Sequence, residues 1–395
     1  MAKRPYMILL GDLPDEPTPP VGIRTRGSPV TRLRLETDDL NPGEPERLRQ
    51  QREVQAVAPP LRLRLVAPAE KVSGPVVDDG SVAWGVQAVG ADQCTWTAEK
   101  IVVAVLDTGI DRGHQVFAGM NIADRDFTGT GNGDANGHGT HCAATMFGQS
   151  HEGFRCGVAP SVGKVLIGKA LDSKGSGTTR ALSDAIIWAL QEGANIIAMS
   201  LGIDFSGDVQ DLVESGIPIK SATSMVLEDY RDNIRFFETL AALATTAGPF
   251  GPGALLVAAA GNESDRGGTP SFEVGVSPPA VASGIVSVAA LERVGTRGEQ
   301  MKVASFSNTG AKIAAPGVAI RSAKAGGGYV ELSGTSMATP HVAGVAALWA
   351  AKVLAEDKRL DPRDLAHRVI GNARRLPDLQ SVDVGTGLVR APPSP

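Results

Sequence analysis

The sequence predicts an α/β fold with a mostly parallel sheet and helices on both faces, preceded by a small α+β module. Apolar, β-branched runs such as "KIVVAVLDTG" recur and end in turns, which is typical of buried parallel strands. Segments with helical periodicity, such as "TRALSDAIIWALQEG", separate these runs, and alternating strands and helices form covered parallel sheets. The 395 residues suffice for one large domain and a second, small one.

Composition narrows the functional classes. The chain is 42% hydrophobic with only 4% aromatic residues, so aliphatic side chains must build the core. A formal net charge of -5 argues against a nucleic-acid partner, and no apolar run reaches the roughly 18–20 residues of a membrane span. The N-terminal run "YMILLG" is shorter than the apolar region of a signal peptide. Three cysteines give no disulfide framework, and we therefore expect a cytoplasmic protein with free thiols.

Three regions differ in pattern. Residues 1–75 predict the α+β module, with "PYMILLGD" and "LRLRLV" as strands and "EPERLRQQREV" as a short helix. Residues 76–83 are interpreted as a linker, and residues 84–391 as the large domain. The segment at about 203–250 is longer than a crossover between adjacent strands needs, so it predicts an insertion of one or two helices.

Four reactive side chains lie beside glycines at predicted strand or helix ends. Asp107 lies in "VAVLDTGID" and His138 in "NGHGTHCA". Asn262 lies in "AAAGNE" and Ser336 in "GTSMATPHVAG". Singly, the aspartate and the serine each fit a helix N-cap, the histidine a core position and the asparagine a turn. Together they supply the nucleophile, base, carboxylate and oxyanion donor that acyl transfer requires.

A proline lies inside the apolar helix that is predicted to begin at Ser336. Pro340 has no N–H, so the carbonyl of Ser336 lacks its usual intrahelical partner. We interpret this segment as a helix N-terminus that presents the serine hydroxyl, where backbone N–H groups and the helix dipole favour developing negative charge.

The four segments, in this order along the chain, resemble those of the subtilisin-like serine proteases, the subtilases. The resemblance runs from about residue 84 to about residue 391. It implies that Ser336 is the nucleophile and that His138 is the general base and then the general acid. It also implies that Asp107 orients His138 and that Asn262 donates into the oxyanion hole. The implied activity is a serine endopeptidase acting on peptide or protein substrates, with no organic cofactor.

The resemblance extends to segments that flank an extended substrate. The family pattern is matched by two strand-like segments, "KGSG" and "SLG", by a pocket wall, and by an acidic residue at the rim of that pocket. The resemblance implies that a substrate peptide adds as a further strand between the first two. It also implies that the acidic residue favours a basic or polar side chain. The residues concerned are Gly175, Ser176, Gly177, Ser200, Leu201, Gly202, Ala258, Ala259, Ala260, Gly261 and Glu263.

Two segments of the sequence suggest a metal site at first, but we do not expect either of them to bind a metal ion. Many subtilases bind calcium in the loop that is "GQSHEGFRCGVAP" here, but His151 and Arg155 lie where a hard cation needs oxygen ligands. Val116 also occupies a position where an acidic ligand is expected, so we predict that this calcium site is lost. Calcium binding at another site stays an open alternative. His141 and Cys142 have no second Cys/His pair at ligand spacing, so Cys142 is interpreted as a buried residue near the active site.

Several alternatives stay open at this point. The N-terminal module has the size of a subtilase propeptide, which inhibits its enzyme, or it is a permanent interaction module. A propeptide predicts a new N-terminus near Ser81–Trp84. The alternative activities are a peptide ligase or macrocyclase, which resolves the acyl-enzyme with an amine, and a non-catalytic peptide-binding module, which has no need of the four residues.

Overall fold

The structure is a computed structural model, and it describes residues 3–12, 32–66, 80–246, 253–295 and 300–394. Residues 76–79, half of the predicted linker, therefore lie outside the described residues. The strands are β1 (Arg4–Asp12), β2 (Arg32–Leu40), β3 (Val54–Ala58), β4 (Arg62–Leu65), β5 (Val102–Asp107), β6 (Ile122–Asp126), β7 (Lys164–Lys169), β8 (Ser176–Thr178), β9 (Ile196–Met199), β10 (Leu201–Ile203), β11 (Leu255–Ala259), β12 (Ile285–Val294), β13 (Gln300–Val303), β14 (Ile313–Pro316), β15 (Ile320–Ala323) and β16 (Tyr329–Leu332). The helices are α1 (Glu44–Leu48), α2 (Trp84–Ala88), α3 (His138–Phe147), α4 (Thr179–Gln191), α5 (Phe205–Glu214), α6 (Ile219–Ala244), α7 (Thr335–Asp357), α8 (Pro362–Gly371) and α9 (Ser381–Val384), with a 3₁₀ turn at Gln115–Phe117.

The large domain is built on a central sheet. Within the described residues this sheet has eight strands in the order β13-β12-β11-β9-β5-β7-β6, with β14 paired to β12. Every pair is parallel except β12 with β13. The apolar runs form strands that are buried along almost their whole length, as parallel strands covered on both faces are. Helices α3, α4 and α7 pack against the sheet, and the predicted α/β fold is confirmed.

Helix α7 crosses the core. Among the described residues it is the one helix long and apolar enough to span a membrane, but 83% of its apolar window is buried inside the fold. Its small residues allow close packing, since a Cβ at Gly344 would lie 2.7 Å from Cβ of Val158. The apolar character of α7 therefore reflects burial among the other elements.

The N-terminal module is a three-stranded antiparallel sheet in the order β2-β1-β3, with α1 following β2. Alternate residues of β1 pack into two different hydrophobic clusters. Tyr6 and Ile8 pack in a small cluster of the module, whereas Met7 and Leu9 are fully buried in the main core. Because β2 contacts α4 and β3 contacts α6, the module lies directly on the large domain.

The "LRLRLV" segment lies elsewhere than predicted. It forms strand β4, but β4 does not join the sheet of the module; it pairs antiparallel with β10 and with β8 of the large domain. Leu61 and Leu63 are buried, and Arg62 and Arg64 are exposed. The alternating pattern predicts a half-buried strand correctly, but it carries no information about which strands become its neighbours.

Strand β2 carries mixed charge, and the insertion is helical. The segment "RLRLETDDL" forms β2, whose Leu33 is buried. The predicted insertion at about 203–250 contains two helices, α5 and α6, and residues 247–252 lie outside the described residues.

Candidate active site

The four predicted side chains come from elements that end at the same edge of the central sheet. Asp107 is the last residue of β5, and Asn262 follows β11. His138 is the first residue of α3, and Ser336 lies in the first turn of α7. In a parallel sheet the carboxyl ends of the strands share one edge, which is where such folds bind their ligands.

Asp107 and His138 form a buried pair. Nδ1 of His138 lies 2.8 Å from Oδ1 and 3.0 Å from Oδ2 of Asp107, and the side chains are 2% and 0% exposed, respectively. Burial by itself lowers the pKa of His138, but the charge and hydrogen bond of Asp107, together with Cys142, hold that pKa well above its ordinary value. Nε2 of His138 is buried and has no hydrogen-bond partner among the described residues. This ring nitrogen is therefore the one left to accept a proton.

Ser336 faces a peptide carbonyl of the same chain. Its hydroxyl donates to the carbonyl oxygen of Val66 at 3.0 Å and lies 3.4 Å from the carbonyl oxygen of Ser200. The main-chain carbonyl of Ser336, deprived of its helical partner by Pro340, accepts from the Ser200 hydroxyl at 3.2 Å and the Cys142 thiol at 3.4 Å. The proline thus lets the start of α7 bind its neighbours instead of its own next turn.

Asn262 is held in one orientation. Its Oδ1 accepts from the backbone N–H and from the hydroxyl of Thr335, each at 2.9 Å. A Cβ at Gly334 would lie 2.9 Å from Nδ2 of Asn262, so the glycine leaves room for this amide. The side-chain NH₂ group therefore lies close to the N-terminus of α7, in whose first turn Ser336 lies.

Comparisons with known proteins identify the family of the chain. The model of the subtilase family matches residues 98–387, which include Asp107, His138, Asn262 and Ser336. The chain belongs to the subtilase family. Members of this family are serine endopeptidases, and this subtilase is accordingly a hydrolase of peptide bonds.

Individual relatives give the same result. The chain is 31% identical to Subtilisin DY from Bacillus licheniformis over 317 residues, which is 78% of this chain and 97% of that protein. It is 35% identical to the Thermostable alkaline protease of Halalkalibacterium halodurans over 276 residues, 68% of this chain and 62% of that protein. It is also 35% identical to the Intracellular serine protease of Paenibacillus polymyxa over 256 residues, 63% of this chain and 66% of that protein.

One half-buried carboxylate of this subtilase was not identified from the sequence. Asp134 accepts from the Thr108 hydroxyl, from the Gly137 N–H, and from both the N–H and the hydroxyl of Thr140, all within 2.8 Å. These bonds fix the start of α3 against the end of β5 and so position His138. The signal available in the sequence was an acidic residue in "GDANGHGT", shortly before the histidine.

A second positioning residue is Asn308, which is fully buried. Its Oδ1 accepts from the N–H of Glu263, and its Nδ2 donates to the carbonyl of Ala260 at 3.2 Å and to the carboxylate of Glu263 at 2.6 Å. Asn308 therefore shapes the turn that contains Asn262. Glu263, the predicted rim residue, is exposed, and its carboxylate is bound to Asn308. No local pattern in the sequence marks Asn308, because its partners are distant in the chain.

The predicted substrate-flanking segments surround strand β4. The N–H of Leu65 donates to the carbonyl of Gly175 at 2.7 Å. A Cβ at Gly202 would lie 3.7 Å from a methyl group of Val66, so the side chain of Val66 lies beside that glycine. β4 pairs with residues on both sides, namely Ser176, Gly177 and Thr178 on one side and Leu201, Gly202 and Ile203 on the other. The predicted wall is buried at the end of β11 and just after it, at Ala258, Ala259, Ala260 and Gly261.

A cluster of possible metal donors coincides with the buried pair. Donor atoms of Asp107, His138 and Cys142 lie within 4.8 Å of one another. Nδ1 of His138 is already bonded to Asp107, and burial raises the pKa of the Cys142 thiol, although the nearby His138 lowers it in part. A protonated thiol and an engaged imidazole nitrogen do not suit a metal ion. His141, which is fully buried, instead bonds through Nε2 to the carbonyl of Ile320 at 2.9 Å.

Proposed function

We propose that Ser336, His138 and Asp107 form the catalytic triad of this endopeptidase. The observation that carries the proposal is the hydroxyl of Ser336, which lies 3.0 Å from the carbonyl oxygen of a peptide strand seated in the cleft. The bond between His138 Nδ1 and Asp107 supports it, because it leaves Nε2 as the basic nitrogen.

The chemistry follows from these positions. His138 Nε2 takes the hydroxyl proton as Oγ of Ser336 bonds to the carbonyl carbon, and Asp107 stabilises the imidazolium that forms. The side-chain amide of Asn262 and the backbone N–H of Ser336 donate to the oxyanion of the tetrahedral intermediate. His138 then gives the proton to the departing amine, and the acyl-enzyme remains. Water, deprotonated by His138, releases the acid and regenerates the serine.

We further propose that the N-terminal module is an inhibitor that the enzyme cuts from itself at the Val66–Ala67 bond. Strand β4 lies between β8 and β10, and the carbonyl of Val66, the residue after β4, accepts from the Ser336 hydroxyl, which supports this assignment. The sequence predicted a new N-terminus near Ser81–Trp84. In the structure, the N–H of Ala83 bonds to the carbonyl of Arg155 at 2.9 Å, and the indole of Trp84 donates to Ala319. Ala83 and Trp84 are thus bonded to the large domain, whereas Val66 is bonded to Ser336, which favours the Val66–Ala67 bond.

We also propose that the enzyme works in a reducing, cytoplasmic location and without calcium at the usual loop. A reducing, cytoplasmic location is supported by three free thiols, at Cys94, Cys142 and Cys156, and by the similarity to a relative named as an intracellular protease. Activity without calcium at the usual loop is supported by Arg155. Its guanidinium donates to the carbonyls of Ala91, Gly157 and Val158, so the loop presents a cation and engaged carbonyl oxygens where calcium would need free ones.

Labelling and product masses test the proposed triad. A fluorophosphonate probe should label Ser336 of the purified wild-type protein, and Ser336→Ala should lose labelling together with peptide hydrolysis. The expected loss of turnover is on the order of 10⁶-fold, the magnitude established for subtilisin itself. Hydrolytic products carry one added water, whereas ligation by the alternative macrocyclase gives products without it. Undiminished hydrolysis by Ser336→Ala would contradict the proposal, and an unlabelled, inactive wild type would favour a peptide-binding module.

A further inference from the structure

We infer that the helical insertion carries two acidic subsites, which select arginine or lysine at the third and fifth residues before the cleaved bond. The inference rests on the proposed function, because it takes Val66 as the first residue before that bond. Counted back from Val66, Arg64 is the third residue and Arg62 the fifth. Both are seated on carboxylates of α5 or of its N-cap.

The strand register decides which side chains reach the insertion. β4 lies antiparallel between β8 and β10, so its successive side chains point to opposite sides. Leu61 and Leu63 are 8% and 1% exposed and belong to the main core. Arg62 and Arg64 lie on the other side, toward α5. A substrate bound in the same register would present its third and fifth residues to the same carboxylates.

The subsite for the fifth residue is formed by two aspartates of α5. Nε of Arg62 lies 2.7 Å from Oδ1 of Asp208, and its Nη1 lies 2.7 Å from Oδ2 of Asp211. The side chain of Asp208 is 15% exposed, and burial raises its pKa while Arg62 opposes that rise. Oδ2 of Asp208 is buried without a hydrogen-bond partner among the described residues. A partly desolvated carboxylate with a spare acceptor favours a guanidinium, which carries several donors.

The subsite for the third residue is formed by Asp204. Its carboxylate is 6% exposed, pairs with the guanidinium of Arg64, and also accepts from the N–H of Gly207 as the N-cap of α5. A Cβ at Gly207 would lie 2.1 Å from Oδ2 of Asp204 and 2.8 Å from Nη2 of Arg64, the two partners of this ion pair. A glycine inside a helix lowers helix stability, and here its lack of a side chain makes room for the bound arginine.

The favoured ligand is therefore an extended peptide that alternates apolar and basic residues. Leucine at the second and fourth positions contacts the cleft, and arginine at the third and fifth positions contacts the insertion. The aspartates lie on α5 or at its N-cap, so this preference depends on the insertion. Since both arginines are partly exposed, salt should weaken the preference.

Matched peptides test the inference with the protein as purified from the full chain. One quenched fluorogenic peptide carries the protein's own Leu-Arg-Leu-Arg-Leu-Val-Ala sequence, and the other has glutamine at both arginine positions. Wild type should cleave both after valine, with kcat/KM for the arginine peptide higher on the order of 10-fold. In Asp208→Asn/Asp211→Asn the ratio between the peptides should fall several-fold. Asp204→Asn should lower this ratio because the contact with the third residue loses its charge, while the asparagine keeps the N-cap of α5.

Two controls separate selection from folding. Glu214→Gln removes a charge from the exposed end of the same helix and should keep the wild-type ratio between the peptides. Asp211→Lys should improve cleavage of a peptide with glutamate at the fifth position relative to the arginine peptide. Equal kcat/KM of wild type for the first two peptides would overturn the inference, as would an unchanged ratio in Asp208→Asn/Asp211→Asn. Failure to cleave any peptide would instead contradict the proposed function.

Discussion

The proposed catalytic centre and the contact between the insertion and the N-terminal module differ in how deeply their polar side chains are buried. Asp107, His138 and Ser336 are at most 2% exposed, and buried partners fix them. The second region is held by ion pairs whose arginines are 27% to 61% exposed. Buried hydrogen bonds are screened little by salt, whereas exposed pairs are individually weak and salt-dependent. Under the proposed function, we expect the first region to set the rate of hydrolysis and the second to set how strongly the module is retained.

The largest effect should come from breaking the buried pair. Asp107→Asn should lower kcat by about 10⁴-fold, the magnitude known for this substitution in serine proteases, because the imidazole loses its orientation and its counter-charge. Asp107 raises the pKa of His138, and the base must be neutral to act. Wild-type kcat/KM should therefore rise with pH through a pKa above 6.5, and the residual activity of the variant should rise at lower pH.

A profile of kcat/KM between about pH 5 and pH 10 measures both quantities. Asp184→Asn, a substitution of the same type at a surface pair with Arg180, is the control and should keep the wild-type profile. If the rise of kcat/KM with pH had the same midpoint in Asp107→Asn as in wild type, Asp107 would not govern the ionisation of His138.

A smaller loss is expected at the oxyanion donor. Asn262→Ala should reduce kcat by about 10²–10³-fold with little change in KM, the cost established for the equivalent donor of subtilisin. Steady-state kinetics on one peptide measures it. Asn372→Ala, at an exposed amide after α8, serves as the control. An effect confined to KM would mean that Asn262 binds the ground state and does not stabilise the oxyanion.

The same division explains what could be predicted from the sequence. Asp107, His138, Asn262 and Ser336 each lie in a local motif at the end of a strand or start of a helix, so short-range pattern identifies them. Asp134 lies close to His138 in the sequence, but its bond to Thr108 closes only in the folded chain, as do the bonds of Asn308 to Ala260 and Glu263. Sequence pattern alone does not mark such bonds.

The location of β4 shows the same limit. Its alternation indicated a half-buried strand, but the partners of Arg62 and Arg64 lie on α5 or at its N-cap, more than a hundred residues further along the chain. Pairing over such a separation depends on the assembled sheet edges and on opposite charges meeting across them, and neither is a property of a short segment.

The smallest effects should come from the ion pairs that hold the module. Arg4 bonds to both carboxylate oxygens of Asp229 at 2.8 Å, and Arg49 lies 2.8 Å from Asp232. Arg4→Gln or Arg49→Gln should each weaken retention of the cleaved module by a few-fold, corresponding to about 0.5–1 kcal/mol for partly exposed pairs. Size-exclusion chromatography in low and high salt measures the co-eluting fraction, which should fall as salt rises.

Arg34→Gln is the matched control, because Arg34 forms its ion pair with Glu36 inside the module. It should leave retention at the wild-type level. Retention that responds neither to salt nor to Arg4→Gln and Arg49→Gln would assign the contact to its apolar part, through Met7, Leu9 and their neighbours.

The intact masses of the full-length wild type and of Ser336→Ala test the central claim most directly, namely that Ser336 is poised to cut the Val66–Ala67 bond. The wild type should give a fragment ending at Val66 and a chain beginning at Ala67, while Ser336→Ala should stay whole. A first cut near Ser81–Trp84, or the same cut at Val66 in Ser336→Ala, would contradict the account.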